Sequence, residues 1–287
     1  MQEAGSGAAG TVLTGRTAVI AGNGRLPVAV ANALRDTGQN PFLVLLRGEA
    51  DKQLYDFEHC EISVVEFARL IESMQKAGVR NVVLAGGIVS RPHWRDLRFD
   101  IPTLKALPRL FRALGRGDDA LLRAFIGLVE SYGFRVVGAH QVVPVLLAPR
   151  GVRLTRKKAG KTEERNIEQA TEAARQLGVL DVGQGAVAVG GRVVALEGAE
   201  GTDNMLKRVA EMRQERRIPR EGGVLVKTMK PTQDKRADLP AIGPQTVKNA
   251  HQAGLYGIVV EADRSFILEF EKTMELADHY GMFIESR

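Results

Sequence analysis

The residues best suited to chemistry lie in one run, Val226-Lys-Thr-Met-Lys-Pro-Thr-Gln-Asp-Lys-Arg-Ala-Asp-Leu-Pro-Ala-Ile-Gly243, directly after an apolar strand pattern. Lys227, Lys230 and Arg236 are cations of the kind that neutralise a pyrophosphate. Asp238 stands ahead of Leu239-Pro240, where the proline ring favours extended backbone and so fixes the approach of the chain. A carboxylate among cations suits Mg2+, which takes a few protein oxygens and completes its shell with substrate phosphates. Gln233, Pro240 and Gly243 set this run apart from a charge cluster that merely solvates a face. The plainer alternative is a solvated surface loop.

Three further segments carry candidate ligands. Ala21-Gly-Asn-Gly-Arg-Leu-Pro27 follows a first apolar strand and precedes a helix. Glycines there let backbone N–H groups approach a phosphate at a helix N-terminus. The reading is a phosphate or ligand contact by Ala21, Gly22, Asn23, Gly24, Leu26 and Pro27, or else a tight strand-to-helix turn. Its spacing is Gly-x-Gly-x-x-Pro, and no acid that could hold a ribose ends the second strand, where Arg47-Gly48-Glu49 stands. A nicotinamide-dependent oxidoreductase is therefore the weaker reading. Ala85-Gly-Gly-Ile-Val-Ser-Arg-Pro92 closes the third strand, with Gly86, Ser90 and Arg91 at the edge where open α/β sheets gather ligands. Asp181-Val-Gly-Gln-Gly-Ala186 brings Gln184. Glu200-Gly-Thr-Asp203 brings Thr202 and Asp203, either of which fits a helix N-cap.

These segments need a scaffold, and the apolar pattern supplies one. Strands are expected at 17–21, 42–46, 81–84 and 134–137, alternating with helices at 28–37, 64–77, 102–116 and 118–131. Continuous apolar strands separated by helices read as a parallel sheet covered on both faces. The second half, with helices at 163–177, 203–214, 244–253 and 270–280, has strands at 185–189, 192–196, 223–227, 258–261 and 266–268. It is hairpin-like around Gly190-Gly191, and Gly178 is expected to cap the helix before it. The fold class is thus α/β: a Rossmann-like parallel-sheet N-terminal domain and a distinct α/β C-terminal domain. The expected division is a disordered leader at 1–16, an N-terminal domain at 17–148, a linker at 149–162 and a catalytic domain at 163–287.

Composition narrows the partners. The 287 residues are 44% hydrophobic and 26% charged, ordinary values for a folded protein. Lys and Arg outnumber Asp and Glu by 40 to 34, a net charge of +6. The excess crowds into 150–165 and 207–236, which offers positive surface to an anion. Aromatic residues are only 5% and do not interleave with the basic stretches, which disfavours nucleic acid. The one cysteine, Cys60, excludes an intrachain disulfide framework. Histidine spacing offers no metal motif, no Gly-x-Ser-x-Gly elbow occurs, and no apolar run approaches the length of a membrane span.

In order along the chain, Ile20-Ala-Gly-Asn-Gly-Arg-Leu-Pro-Val28, Ala85-Gly-Gly-Ile-Val-Ser-Arg-Pro92, Gly117-Asp-Asp-Ala-Leu-Leu-Arg123, Gly138-Ala-His140, Asp181-Val-Gly-Gln-Gly-Ala-Val187, Glu200-Gly-Thr-Asp203 and Lys227 to Gly243 resemble the LpxI-type UDP-2,3-diacylglucosamine pyrophosphatases of the lipid A pathway. The resemblance spans most of 17–284 and is most specific in its last segment. It departs in the leader and in the extra glycine of Ala85-Gly-Gly-Ile-Val. It implies a Mg2+-dependent, dimeric hydrolase that splits UDP-2,3-diacylglucosamine into UMP and 2,3-diacylglucosamine 1-phosphate (lipid X), with substrate bound between two domains. The acid of the family's Asp-Leu-Pro motif maps to Asp238, as catalytic residue and metal ligand. Lys227 and Gln233 join it, and Lys230, Arg236 and Thr202 contact substrate. A lipid substrate implies a cytoplasmic protein with loose contact to the membrane surface and no anchor. A non-enzymatic nucleotide or lipid sensor is the remaining alternative.

Overall fold

The computed structural model describes residues 13–88 and 118–287. The chain forms two compact units: Met1–Val145 with Asp234–Asp238, and Leu146–Gln233 with Leu239–Arg287. The expected helix at 102–116 and the expected contacts of Ser90 and Arg91 lie outside the described residues.

Unit 1 is built on five strands: β1 (Arg16–Ala21), β2 (Phe42–Leu46), β3 (His59–Ile62), β4 (Val79–Ala85) and β5 (Arg135–Val137). They pair in the order β3-β2-β1-β4-β5, every neighbour parallel. β2 is buried at all five positions, which is why its sequence shows no polar alternation. Helices α1 (Leu26–Asp36), α2 (Phe67–Lys76), α3 (Asp118–Glu130) and the single-turn α4 (Ala139–Val142) supply the covering layers. Val44, Val82, Met74 and Ile126 share one buried cluster. β3 is not among the expected strands: it is short, and its first three residues are only partly covered.

Residues 13–16, placed in the expected disordered leader, are ordered. Leu13 is buried, and the Asn81 amide of β4 donates to the Thr14 carbonyl at 3.0 Å. Arg16 opens β1 and reaches the Asn40 and Ala77 carbonyls.

Unit 2 has a mixed sheet of β6 (Gly185–Val189), β7 (Arg192–Leu196), β8 (Val224–Lys227), β10 (Gly257–Val260) and β12 (Phe283–Ser286), with a separate two-stranded pair of β9 (Ala241–Ile242) and β11 (Phe266–Ile267). The order is β12-β10-β8-β6-β7. β8, β10 and β12 run parallel, and β6 opposes both β8 and its hairpin partner β7. Successive side chains of a strand point to opposite faces. Accordingly Val224, Val226 and Val259 pack with Ile167 and Ala170 of α5 (Lys161–Val179). Leu225, Ile258 and Val260 face the other way, against Met205 of α6 (Gly201–Gln214), Val247 of α7 (Pro244–Gln252) and Met274 of α8 (Phe270–His279).

The stretch 149–162 is not a linker. Thr155 is 4% exposed, its hydroxyl accepts from the Ile284 N–H at 2.9 Å, and the Ala159 N–H donates to Glu285 at 3.0 Å. Its basic residues give it the look of a loop, but these bonds tie it to β12. Gly178 does not cap α5 either. It lies inside the helix, where a Cβ would press on the Lys230 Cα at 3.2 Å, so the glycine admits a neighbouring loop.

Candidate functional site

Within unit 1 the strand order reverses beside β1, and ligands of open α/β sheets gather at such a point. There the two glycine loops meet. Asn23 donates to the Gly87 carbonyl at 2.7 Å and Gly87 returns a bond to Asn23 at 3.1 Å, while Gly22 donates to Ala85 at 2.9 Å. A Cβ on Gly22 would collide with the Gly87 carbonyl, and one on Gly86, held at φ +83°, with the Asn23 carbonyl. The glycines therefore serve first to bring two loops together.

This changes the part the expected ligands can play. The Gly22 and Asn23 N–H groups are spent on the loop pair, and the Ala21 side chain is wholly buried. Pro27, at the start of α1, has no N–H to give. What faces solvent is the tip, Asn23-Gly24-Arg25, with Gly86 opposite and Leu26 half-buried. Arg25 is steered by Asp51 at 3.1 Å.

The segment Asp234–Asp238 also belongs to unit 1. Ala237 packs on the unit 1 core. Arg236 grips Asp234 through its backbone N–H at 2.9 Å and its guanidinium at 2.8 Å, and reaches Glu130 of α3 at 2.9 Å. The Arg236 guanidinium holds the Asp234 carboxyl below the usual carboxylate range. Burial pushes the His140 imidazole below its usual range, partly offset by a bond to the Lys235 backbone. Arg236, expected to contact substrate, is thus engaged in holding its own loop. Asp238, the expected catalytic acid and metal ligand, is exposed.

Unit 2 contributes a buried polar chain. Lys227 ends β8 and is 6% exposed. Its ammonium donates to the Thr202 hydroxyl at 2.9 Å and to the Ala241 carbonyl at 3.3 Å. The Thr202 hydroxyl donates to Glu197 Oε1 at 2.6 Å. Thr202 is therefore not an N-cap; α6 is preceded by Glu200, with no side-chain cap. Asp203 accepts from Asn249 of α7 at 2.7 Å. Beside the chain, Gln184 Oε1 and Thr228 Oγ1 are buried without a hydrogen-bond partner among the described residues. Gln184 also holds the start of the Lys227 loop, its carbonyl accepting from the Thr228 N–H at 2.9 Å.

Lys230 and Gln233 have structural work in the same loop. The Lys230 ammonium meets Asp181 at 2.6 Å, with side chains only 10% and 17% exposed. Gln233 Oε1 accepts from the Lys230 N–H at 3.1 Å, and the Gln233 N–H donates back to the Lys230 carbonyl at 3.1 Å. Lys230, expected to clamp phosphate, instead pairs with an acid far from it in sequence.

A family model described as the LpxI N-terminal domain matches residues 16–146, and one described as the LpxI C-terminal domain matches residues 149–285. The chain belongs to the LpxI family. It is 40% identical over 272 residues to a protein of Caulobacter vibrioides (strain ATCC 19089 / CIP 103742 / CB 15) named UDP-2,3-diacylglucosamine pyrophosphatase LpxI, covering 93% of this chain and 95% of that one.

With the LpxI family established, the residue that motif and spacing alone do not single out is Glu197. It follows the β7 strand and lies four residues before the start of α6. An acid just past an apolar strand, next to Glu200-Gly-Thr-Asp203, is the signal the sequence offers. Glu197 also borders a cleft of about 620 Å³ lined by Leu177, Val182, Leu196, Asn204 and Arg208.

Proposed function

We propose that this chain hydrolyses the pyrophosphate bond of UDP-2,3-diacylglucosamine, giving UMP and 2,3-diacylglucosamine 1-phosphate. The observation that carries the reading is the 40% identity, across nearly the whole of both chains, to a relative that bears that activity in its name. The buried Lys227 fits it. Cleaving a phosphoanhydride piles charge on phosphoryl oxygens, and a preorganised ammonium in a nearly dry seat stabilises that charge more than it would in water.

Mg2+ fits this reading as follows. Among the described residues no group of three or more His, Cys, Asp or Glu could hold a metal ion. Mg2+ is commonly held by one or two carboxylates together with substrate phosphates. The exposed Asp238 carboxylate is the residue assigned to hold it or to orient the attacking water. When bound, the ion would supply charge neutralisation at the phosphates. Lys227 would donate to a phosphate oxygen, and Lys230 with Gln233 would fix the loop that follows it.

The apolar side of the Leu177–Leu196 cleft offers surface of the kind an acyl chain needs. No helix among the described residues is long and apolar enough to cross a membrane. The reading also includes peripheral contact with a lipid surface through the basic stretches, a cytoplasmic setting and a homodimer.

The test is release of UMP from UDP-2,3-diacylglucosamine by the purified protein with Mg2+, with and without chelator, beside Asp238→Ala. Metal-dependent release that the substitution abolishes in a folded protein supports the reaction and the residue. Release that survives the substitution moves the catalytic role off Asp238. No release with any divalent metal overturns the reading.

A further inference from the structure

Lys227, Thr202 and Glu197 can be wired in only one direction. An ammonium donates and never accepts, a threonine hydroxyl has a single proton, and an ionised carboxylate only accepts. The Thr202 proton goes to Glu197 Oε1 at 2.6 Å, so a lone pair of the hydroxyl is turned toward Lys227 Nζ at 2.9 Å. Ala241 takes a second ammonium N–H at 3.3 Å. With two of three donors directed, the orientation of the third is set, and it has no acceptor among the described residues.

The fold makes room for this arrangement. Glu197 is 7% exposed and Lys227 6%, so both ends of the chain are withdrawn from water. β6 lies between β7 and β8 and pairs Gly185 with Lys227 across the ladder. A Cβ on Gly185 would stand 2.5 Å from Glu197 Oε2, so the strand carries a glycine where the carboxylate must fit. The Glu197 N–H donates to the Gly185 carbonyl at 2.9 Å, locking the backbone beneath that carboxylate. Glu197 Oε2 itself is buried with no hydrogen-bond partner among the described residues. A buried carboxylate with one oxygen unmatched is costly, and tying down a threonine alone does not require it.

We propose that Glu197 is a positioning residue: through the Thr202 hydroxyl it fixes the direction in which Lys227 presents its remaining N–H to an anionic phosphoryl oxygen. The phosphoryl part rests on the pyrophosphatase reading; the wiring does not. Glu197 touches no reacting atom, and its influence passes wholly through Thr202.

The experiment measures kcat and KM for UMP release by the full-length protein and five variants: Thr202→Val, Thr202→Ser, Glu197→Gln, Glu197→Ala and the Glu197→Ala/Thr202→Val double variant. Thr202→Val and Glu197→Ala should each lower kcat about tenfold, in the range of coupled neighbours, with KM within about twofold. The double variant should be no slower than Thr202→Val alone, because both changes cut the same chain. Thr202→Ser, which keeps the hydroxyl, should restore kcat, and Glu197→Gln, which keeps an acceptor oxygen, should lose less than Glu197→Ala. Losses that multiply in the double variant, or that fall on KM alone, overturn the proposal.

The same proteins labelled with 15N-lysine separate this proposal from the pyrophosphatase reading. The ammonium cross-peak missing from Lys227→Met identifies Lys227. It should persist in the wild type and Thr202→Ser and vanish or broaden in Thr202→Val and Glu197→Ala, as the ammonium loses its fixed partners. An unchanged peak in every variant overturns the wiring. Absent UMP release by the wild type overturns the pyrophosphatase reading alone.

Discussion

The carboxyl ends of β1 and β8 are each followed by a loop rich in candidate ligands, yet the two loops are built from different materials. After β1 the structure is made of backbone: two glycine loops bonded to each other through N–H and carbonyl groups. After β8 it is made of buried side chains: an ammonium, a hydroxyl and a carboxylate in line, and an ion pair between Lys230 and Asp181 beside them. The backbone edge tolerates no Cβ at Gly22 or Gly86, and the bonds that hold it together carry no charge. A side-chain edge carries charge and depends on every link. Damage should therefore show as lost stability at the first and, along the Lys227-Thr202-Glu197 line, as lost rate at the second.

The sharpest test of that contrast is Lys227→Met. Removing one preorganised donor to developing charge should lower kcat/KM for UMP release by about 10² to 10³-fold, with little change in thermal midpoint. A large fall in the midpoint with unchanged kinetics would erase the contrast. Next, Asp181→Ala should cost about 3 kcal/mol by urea denaturation, because it takes the Asp181 carboxylate away from a nearly buried ammonium and puts alanine at φ +55°. Asp181→Gly also breaks the pair but suits the backbone, so it should cost about 1 kcal/mol less.

On the backbone side, Gly22→Ala should cost about 1 to 3 kcal/mol, since its Cβ would meet a carbonyl rather than a side chain that can swing aside. Hydrogen exchange should rise at β1 and β4 while β8 and β10 keep their protection; a rise spread evenly over both units would contradict separate edges. The smallest effect is that of pH. His140 is held below its ordinary range, so the unfolded chain binds the proton first and stability should fall as pH drops through about 6.5. Asp234 is also held low, so its contribution is present at neutral pH and is lost as pH falls below about 4. Urea midpoints from pH 7.5 to 5.5 should decline less in His140→Asn than in the wild type.

How much of this is legible in the sequence follows the same divide. β1, β2 and β4 are legible because continuous apolar strands between helices fit little besides a parallel sheet covered on both faces. The meeting of the two glycine loops is legible as a shared edge, but not as a mutual bond, since a bond between loops so far apart in the chain leaves no mark on either. Lys227 and Thr202 stand out by their types. Glu197 does not, because a lone acid after a strand looks like a solvated turn until Gly185 is seen across the sheet from it. Lys230 and Arg236 look like free cations in the sequence, yet one is matched to Asp181 and the other to Asp234 and Glu130. Sequence shows which charges a loop holds, and only the fold shows which of them are already matched.

The five residues Asp234–Asp238 give the gene a peculiar indivisibility. The two family models part near residue 147, as though the coding sequence could be cut there into two halves. A chain ended at that point would lack Ala237 for the unit 1 core and Arg236 for Glu130, because both are encoded far downstream. During synthesis, unit 1 has to wait with its last piece missing until the whole of 146–233 has been made. The order in which the ribosome delivers the chain therefore makes completion of the first unit depend on the second, and Asp238 arrives with the piece that completes it.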